Sequence, residues 1–253
     1  MTERGGLRGP PLLLVRPRRA TLALPGIRYG TGASEVIESV KVIGAGRVGS
    51  AIAARLAERG IAARPDPDVV LLCVPDGAIA ECAQTVEPGP WVAHVSGATP
   101  LAALDPHVRR FSVHPLQTFT RSRGAEQLDG AWAAVTAETD EARAVGFELA
   151  EALGLQPFEL ADGCRRIYHA GTVFASNYLV TLYRAAAQLL DEAGAPVEAL
   201  LPLMRRTIEN GFELTGPIAR GDWATVDAHV HALRADAPEL EELYIALAEA
   251  TRP

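Results

Sequence analysis

Three groups of residues in this chain have types and spacings suited to chemistry. The first is Gly44-Ala45-Gly46-Arg47-Val48-Gly49, which follows the apolar run Val40–Ile43 and precedes Ala51, Ile52, Ala53, Ala54, Leu56 and Ala57 at helical spacing. Glycines spaced Gly-x-Gly-x-x-Gly between a strand and a helix form a dinucleotide fingerprint. Gly44 permits the tight turn, Gly46 lets backbone approach a pyrophosphate, and Gly49 lets helix pack on strand, with the anion at the helix N-terminus. The second group, Ser96, Gly97 and His114, follows further apolar runs. Polar residues at the ends of parallel strands line the crevice where α/β proteins bind ligands. The third is the sequence His169, Thr172, Ser176 at i, i+3 and i+7, with Asn177 beside it, one polar face of a helix.

These groups need a sheet to hold them. The runs Val69–Val74, Trp91–Val95, 111–113, Ala131–Ala137 and 156–160 read as strands, with helices over 78–85 and 140–153. Val69–Val74 is apolar throughout, as in a strand covered on both faces, and Asp76 after it is expected to N-cap the next helix. The fold class is therefore α/β, a Rossmann-type parallel sheet followed by an all-α part. One departure stands out. Between Gly60 and Val69 there is no room for the second βα unit, because a parallel crossover needs a dozen or more residues. The part of the site that reads the adenosine ribose is thus shortened, and Arg64 is the residue left to meet a 2′-phosphate. The expected cofactor contacts are Gly44 to Gly49, Arg64, Val74, Pro75, Asp76, Ser96 and Gly97.

After Asp162 the alternation stops and the chain reads as helices over 163–192, 196–212, 222–234 and 237–251. The expected domains are an extension over 1–38 without fixed structure, a dinucleotide-binding domain over 39–161, and a helical substrate and dimerisation domain over 162–253. From Ile167 to Tyr183 no residue is formally charged if His169 is neutral, so this stretch is expected to be buried between domains or subunits. Asp222 is placed to cap a helix after the Gly216-Pro217 break, and Arg220 has the planar fork that holds a carboxylate.

Composition excludes several classes. The 253 residues carry a net charge of −7, unsuited to a nucleic-acid or anionic-membrane surface. Cys73, Cys82 and Cys164 show no Cys-x-x-Cys spacing, which suits free thiols in a reducing, cytoplasmic compartment. No His-Glu-x-x-His pattern occurs, and His229 and His231 face different ways on a helix, so no metal site is expected.

Several motifs resemble the Rossmann-like proteins that carry the helical domain of unknown function 2520. They are the glycine turn, Val74-Pro75-Asp76, His94-Val95-Ser96-Gly97-Ala98, His114 to Phe119, Tyr168-His169-Ala170 with Phe174 to Tyr178, and Thr215 to Asp222. The resemblance runs from about residue 39 to the C-terminus. It implies distant kinship with pyrroline-5-carboxylate reductase, ketopantoate reductase and deazaflavin-linked NADP reductases. It also implies NADP or NAD as cofactor and a helical domain of the 6-phosphogluconate-dehydrogenase type, paired into homodimers. On that basis a small C=O or C=N compound, with a 2-oxo acid such as ketopantoate as candidate, is reduced. His169 or His114 acts as general acid, Ser176 and Asn177 hold the carbonyl oxygen, and Arg220 holds the carboxylate. The alternative is a degenerate Rossmann protein that binds a nucleotide, metabolite or protein without redox activity, which the shortened second unit favours.

Overall fold

The computed structural model describes residues 37–252, which form two compact units, 37–179 and 180–252. The extension expected over 1–38 lies, up to residue 36, outside the described residues. Ile37 already belongs to the fold, buried in the core with its N–H donating to the Glu148 carboxylate.

The first unit is built on a six-stranded sheet whose strands lie in chain order, β1 (Val40–Ile43), β2 (Val69–Leu72), β3 (Trp91–His94), β4 (Arg110–Leu116), β5 (Trp132–Ala137) and β6 (Gln156–Glu159). β1 to β4 are mutually parallel, β5 is antiparallel to β4, and β6 is parallel to β5. β4 is longer than expected and contains His114 and Pro115, which pair with Ala134 and Ala133 of β5. An antiparallel partner extends a strand that hydropathy alone would end at Val113.

Both faces of the sheet are covered, which explains the unbroken apolar run in β2. Val69 and Leu71 enter the core shared with Ile52 and Leu56 of α1 (Arg47–Glu58) and Leu149 of α3 (Asp140–Ala152). Val70 and Leu72 point the other way, against Ile79 and Ala83 of α2 (Ile79–Gln84) and the 3₁₀ turn Leu101–Leu104. Side chains alternate along a strand, so only a strand covered twice is apolar at every position. α3 starts where its sequence dictates, with the Thr139 hydroxyl accepting from Ala142 N–H and two acids in the first turn.

The missing second βα unit is visible as a remnant. Ala62 makes a single parallel bridge to Ser39 on the outer flank of β1, and the chain then returns through Pro65 and Pro67 to β2 on the inner flank. Asp68 fastens this return. Burial opposes its charge, but hydrogen bonds from the Ser39 hydroxyl and the Glu38 and Ser39 N–H groups hold it below the usual carboxylate range.

The strands end at β6, close to the expected limit, while the first compact unit continues to Leu179. It takes in α4 (Arg165–Val173) and a π-helical turn, Phe174–Tyr178. The reason is Arg165, whose side chain is inserted into the sheet as described below. The second unit holds most of α5 (Leu179–Glu192), α6 (Leu200–Glu209), α7 (Trp223–Asp236) and α8 (Glu241–Ala250). Asp222 caps α7 as expected, accepting from Thr225 N–H and Thr225 Oγ1. Ile167, Phe174 and Tyr178 of the charge-free stretch are exposed, so its burial is not provided by the unit that carries it. Among the described residues no helix is long and apolar enough to cross a membrane, and no three His, Cys, Asp or Glu side chains gather as metal ligands.

Candidate active site

Because β1 to β4 are parallel, the segments after β1, β2 and β3 and the end of β4 share one edge of the sheet. The glycine turn occupies the β1 position. Gly44 has φ +112°, and a Cβ there would stand 2.3 Å from the carbonyl oxygen of Cys73, so the turn and the end of β2 touch backbone to backbone. A Cβ on Gly49 would meet the Gly44 carbonyl oxygen at 2.0 Å, which ties the helix to the turn. Gly46 faces open space. It is the N-cap of α1, with no side-chain cap and no acid in the first turn, so the first amides and the dipole are left for an exogenous anion.

One expectation near this turn is corrected, and Arg64 has a partner that the sequence reading did not give it. Asp76 does not cap α2: a 3₁₀ turn, Asp76–Ala78, intervenes, and neither it nor α2 has a side-chain cap. Pro75 sets that tight turn, and the Asp76 carboxylate instead lies close enough to His114 to favour its charged form. Arg64 is committed to Glu38, 3.2 Å away on the surface, because the shortened connection carries it to the outer flank of β1.

The chemical centre is formed by β3, β4 and α4. Ser96 lies two residues past the end of β3 with its hydroxyl spent on the turn, donating to Thr99 Oγ1 and accepting from Ala98 and Thr99 N–H. Gly97 follows, and its missing side chain makes room for two imidazoles. A Cβ would lie 2.8 Å from His169 Cδ2 and 2.9 Å from His114 Cε1 and Nε2. His114 Nδ1 is 2.8 Å from the Tyr168 hydroxyl, with the two rings edge to face. The structure therefore brings Gly97, His114 and His169 together, and Tyr168 completes the group.

Arg165 lies beneath it, 1% exposed. It donates to Ser112 Oγ at 2.5 Å, to Thr136 Oγ1 at 2.8 Å and to the Ser96 carbonyl oxygen. Ser112 and Thr136 are cross-strand partners on β4 and β5, so the sheet offers a paired hydroxyl seat in an apolar layer. A guanidinium accepts this seat because it presents several donors in a fixed fork.

Electrostatics follow from this placement. Burial, then the neighbouring His169 and Arg165, lower the His114 pKa to about 4. His94 goes to about 3, mainly through burial and then Arg165, and its Nδ1 accepts from Ser96 N–H, leaving the proton on Nε2. Burial raises the Tyr168 phenol to about 12 despite Arg165. At neutral pH the centre thus holds a neutral imidazole and a protonated phenol. A charged His114, the form an imidazolium acid requires, is disfavoured.

The other expected site residues have surroundings of their own. Ser176 Oγ donates to its own helix at Thr172 O and to Asn177 Oδ1, and Thr172 Oγ1 donates to His169 O. These hydroxyls serve the backbone around the π turn. That turn also under-winds the helix, so the stripe read at ordinary helical spacing loses its register beyond Val173. Arg220 is exposed in the second unit, beside Asp222. The sequence reading missed Arg165, Ser112 and Thr136, and gave Tyr168 no role. The available signal was hydroxyls within the apolar strands 111–113 and 131–137.

Fold and site together define a Rossmann-type α/β unit followed by helices. Residues 131–251 match the family model described as Domain of unknown function (DUF2520), which bears out the resemblance read from the motifs. Solved structures share the fold. A Bacteroides fragilis protein provisionally named NADP oxidoreductase is 24% identical, with TM-score 0.72 over 85% of this chain and 97% of its own. A Thermotoga maritima protein is 23% identical, with TM-score 0.66 over 83% and 95% of the two chains. A reductive aminase from Aspergillus terreus, solved with NADPH, is 17% identical, with TM-score 0.57 over 85% and 95%. No curated protein sequence matches the chain.

Proposed function

We propose that the protein is an NADP-dependent reductase, with NAD as the alternative cofactor, acting on a small C=O or C=N substrate such as a 2-oxo acid of the ketopantoate type. The observation that carries this reading is an uncapped glycine turn and a paired imidazole and phenol on one edge of the same sheet. The open face of Gly46 and the free first turn of α1 suit the pyrophosphate, and the ends of β2 and β3 suit the nicotinamide half. Bound there, the cofactor supplies a hydride. The structural neighbours solved with NADPH support the assignment by analogy of fold.

The residues of this chain handle the proton. With the Tyr168 O–H donating to Nδ1, neutral His114 carries its proton on Nε2, over Gly97. It polarises the substrate oxygen or nitrogen and passes that proton as negative charge develops, while Nδ1 takes the phenol proton. Arg165 favours the resulting phenolate through its charge. His169 lines the other side, Ser176 and Asn177 orient the substrate, and Arg220 clamps its carboxylate. A second copy of the chain covers Ile167, Phe174 and Tyr178, giving a homodimer through the helical domain of the 6-phosphogluconate-dehydrogenase type. Three free thiols suit a cytoplasmic site.

The single bridge left of the second βα unit favours a second reading, a module that binds a nucleotide, a metabolite or a protein without redox activity. One experiment separates them. The protein is titrated calorimetrically with NADPH and NADH, and 2-oxo acids and cyclic imines are then screened for oxidation of the bound cofactor. The reductase reading expects turnover that His114→Ala abolishes while cofactor affinity stays. Binding without turnover on either substrate class supports the module; no binding at millimolar nucleotide refutes the reductase and leaves a module that binds a metabolite or a protein.

A further inference from the structure

A small cavity of about 230 Å³ opens beside the glycine turn, lined by Gly46 and Arg47 on one side and by Arg121 and Arg123 on the other. Its lining contains three guanidinium groups and no acid. That is contrary to the composition of the chain, in which acids outnumber Lys and Arg by 31 to 24. Arg123 lies 3.4 Å from Glu126 on the surface, while Arg47 and Arg121 form no ion pair among the described residues. The α1 N-terminus at the same cavity has no side-chain cap.

The arginine loop is built in advance of any ligand. Gln127, 2% exposed, accepts from Thr120 N–H and donates to the carbonyl oxygens of Thr120, Arg123 and Gly124. Arg55 of α1 then fixes the loop to the helix, donating to Ala125 O and pairing with Asp129 at 2.7 Å. A loop locked by a buried amide and bolted to the helix whose N-terminus it faces loses little freedom on binding.

We infer that Arg121 and Arg123, with Arg47, hold a phosphate group of the dinucleotide, replacing the reader that the missing second βα unit would have supplied. Arg64 is paired with Glu38 on the surface and does not line this cavity. Planar guanidiniums match phosphate oxygens in pairs, and the α1 amides add donors to the same anion. The phosphate is either the adenosine 2′-phosphate or one from the pyrophosphate. This inference rests on the reductase reading only for the identity of the phosphate carrier.

The test is calorimetry on the full chain with NADPH, NADH, 2′,5′-ADP and inorganic pyrophosphate, comparing wild type with Arg121→Ala and with the Arg121→Ala, Arg123→Ala double variant. Both arginines are exposed, so thermal melting should be unchanged; Arg121→Lys, which keeps the charge, should lose less affinity. The expected result is a loss of tenfold or more in the double variant, with a shallower salt dependence. Loss confined to NADPH and 2′,5′-ADP identifies the 2′-phosphate; equal loss for NADPH and NADH identifies the pyrophosphate. Unchanged dinucleotide affinities overturn the inference and leave the reductase reading standing. If wild type binds neither dinucleotide but the small phosphates bind and depend on these arginines, the phosphate site stands and the reductase reading falls. If nothing binds, both fall.

Discussion

Substitution of Gly97 by Ala tests the centre without touching any group that does chemistry. The new methyl would stand 2.8 Å from His169 Cδ2 and 2.9 Å from His114 Cε1 and Nε2, where ordinary contact begins at 3.4 Å. Both rings must therefore give way by about 0.5 Å or more. His114 cannot do so freely, because Nδ1 is held by Tyr168 and its backbone is paired with Ala134 of β5. Overpacking of this kind costs roughly 1–3 kcal/mol. In a chain of this size that lowers Tm by roughly 2–12 °C. The sharper readout is the histidine itself, followed by the NMR titration of its Cε1 proton. Wild-type His114 should titrate near 4. In the variant the ring is displaced toward water, and its midpoint should rise toward the ordinary 6.5. A Gly97→Ala protein with unchanged Tm and an unchanged His114 midpoint would refute the packing on which the proton path rests.

The buried histidines also set the response to acid. Their folded pKa values lie below the ordinary 6.5, so between 6.5 and about 4 the unfolded chain binds a proton that folded His114 refuses, and stability falls as pH falls. For His114 alone the loss is on the order of 3 kcal/mol, complete once pH is below its folded pKa. His114→Gln should flatten that part of the Tm profile, and an unaltered slope would exclude this assignment. Arg165→Met should destabilise by roughly 2–4 kcal/mol in urea, since it orphans Ser112 Oγ, Thr136 Oγ1 and the Ser96 carbonyl oxygen. Adding Ser112→Ala and Thr136→Val should recover part of that loss, and strict additivity would show that the hydroxyl seat is not what holds Arg165.

The sequence by itself determined the elements whose signals are local. The glycine turn, the apolar β2, the helix α3, the Asp222 cap and the absent crossover before Val69 each depend on neighbours a few residues away. Hydropathy period and capping chemistry report such things directly. Gly97 and His114 were also within reach, because strand ends of a parallel sheet converge wherever the fold is recognised. Only the tertiary structure decided the rest. Nothing near Arg165 announces that a charged residue at the start of a helix will enter the sheet; that depends on Ser112 and Thr136 meeting across β4 and β5. The stripe of His169, Thr172 and Ser176 was drawn at ordinary helical spacing, and a π turn altered the register that spacing assumes. The return loop sets Arg64 against Glu38, and Arg121 and Arg123, some sixty residues further on, line the cavity beside the glycine turn. Spacing along the chain fixes neighbours on one element, and contacts between elements are fixed by packing and register.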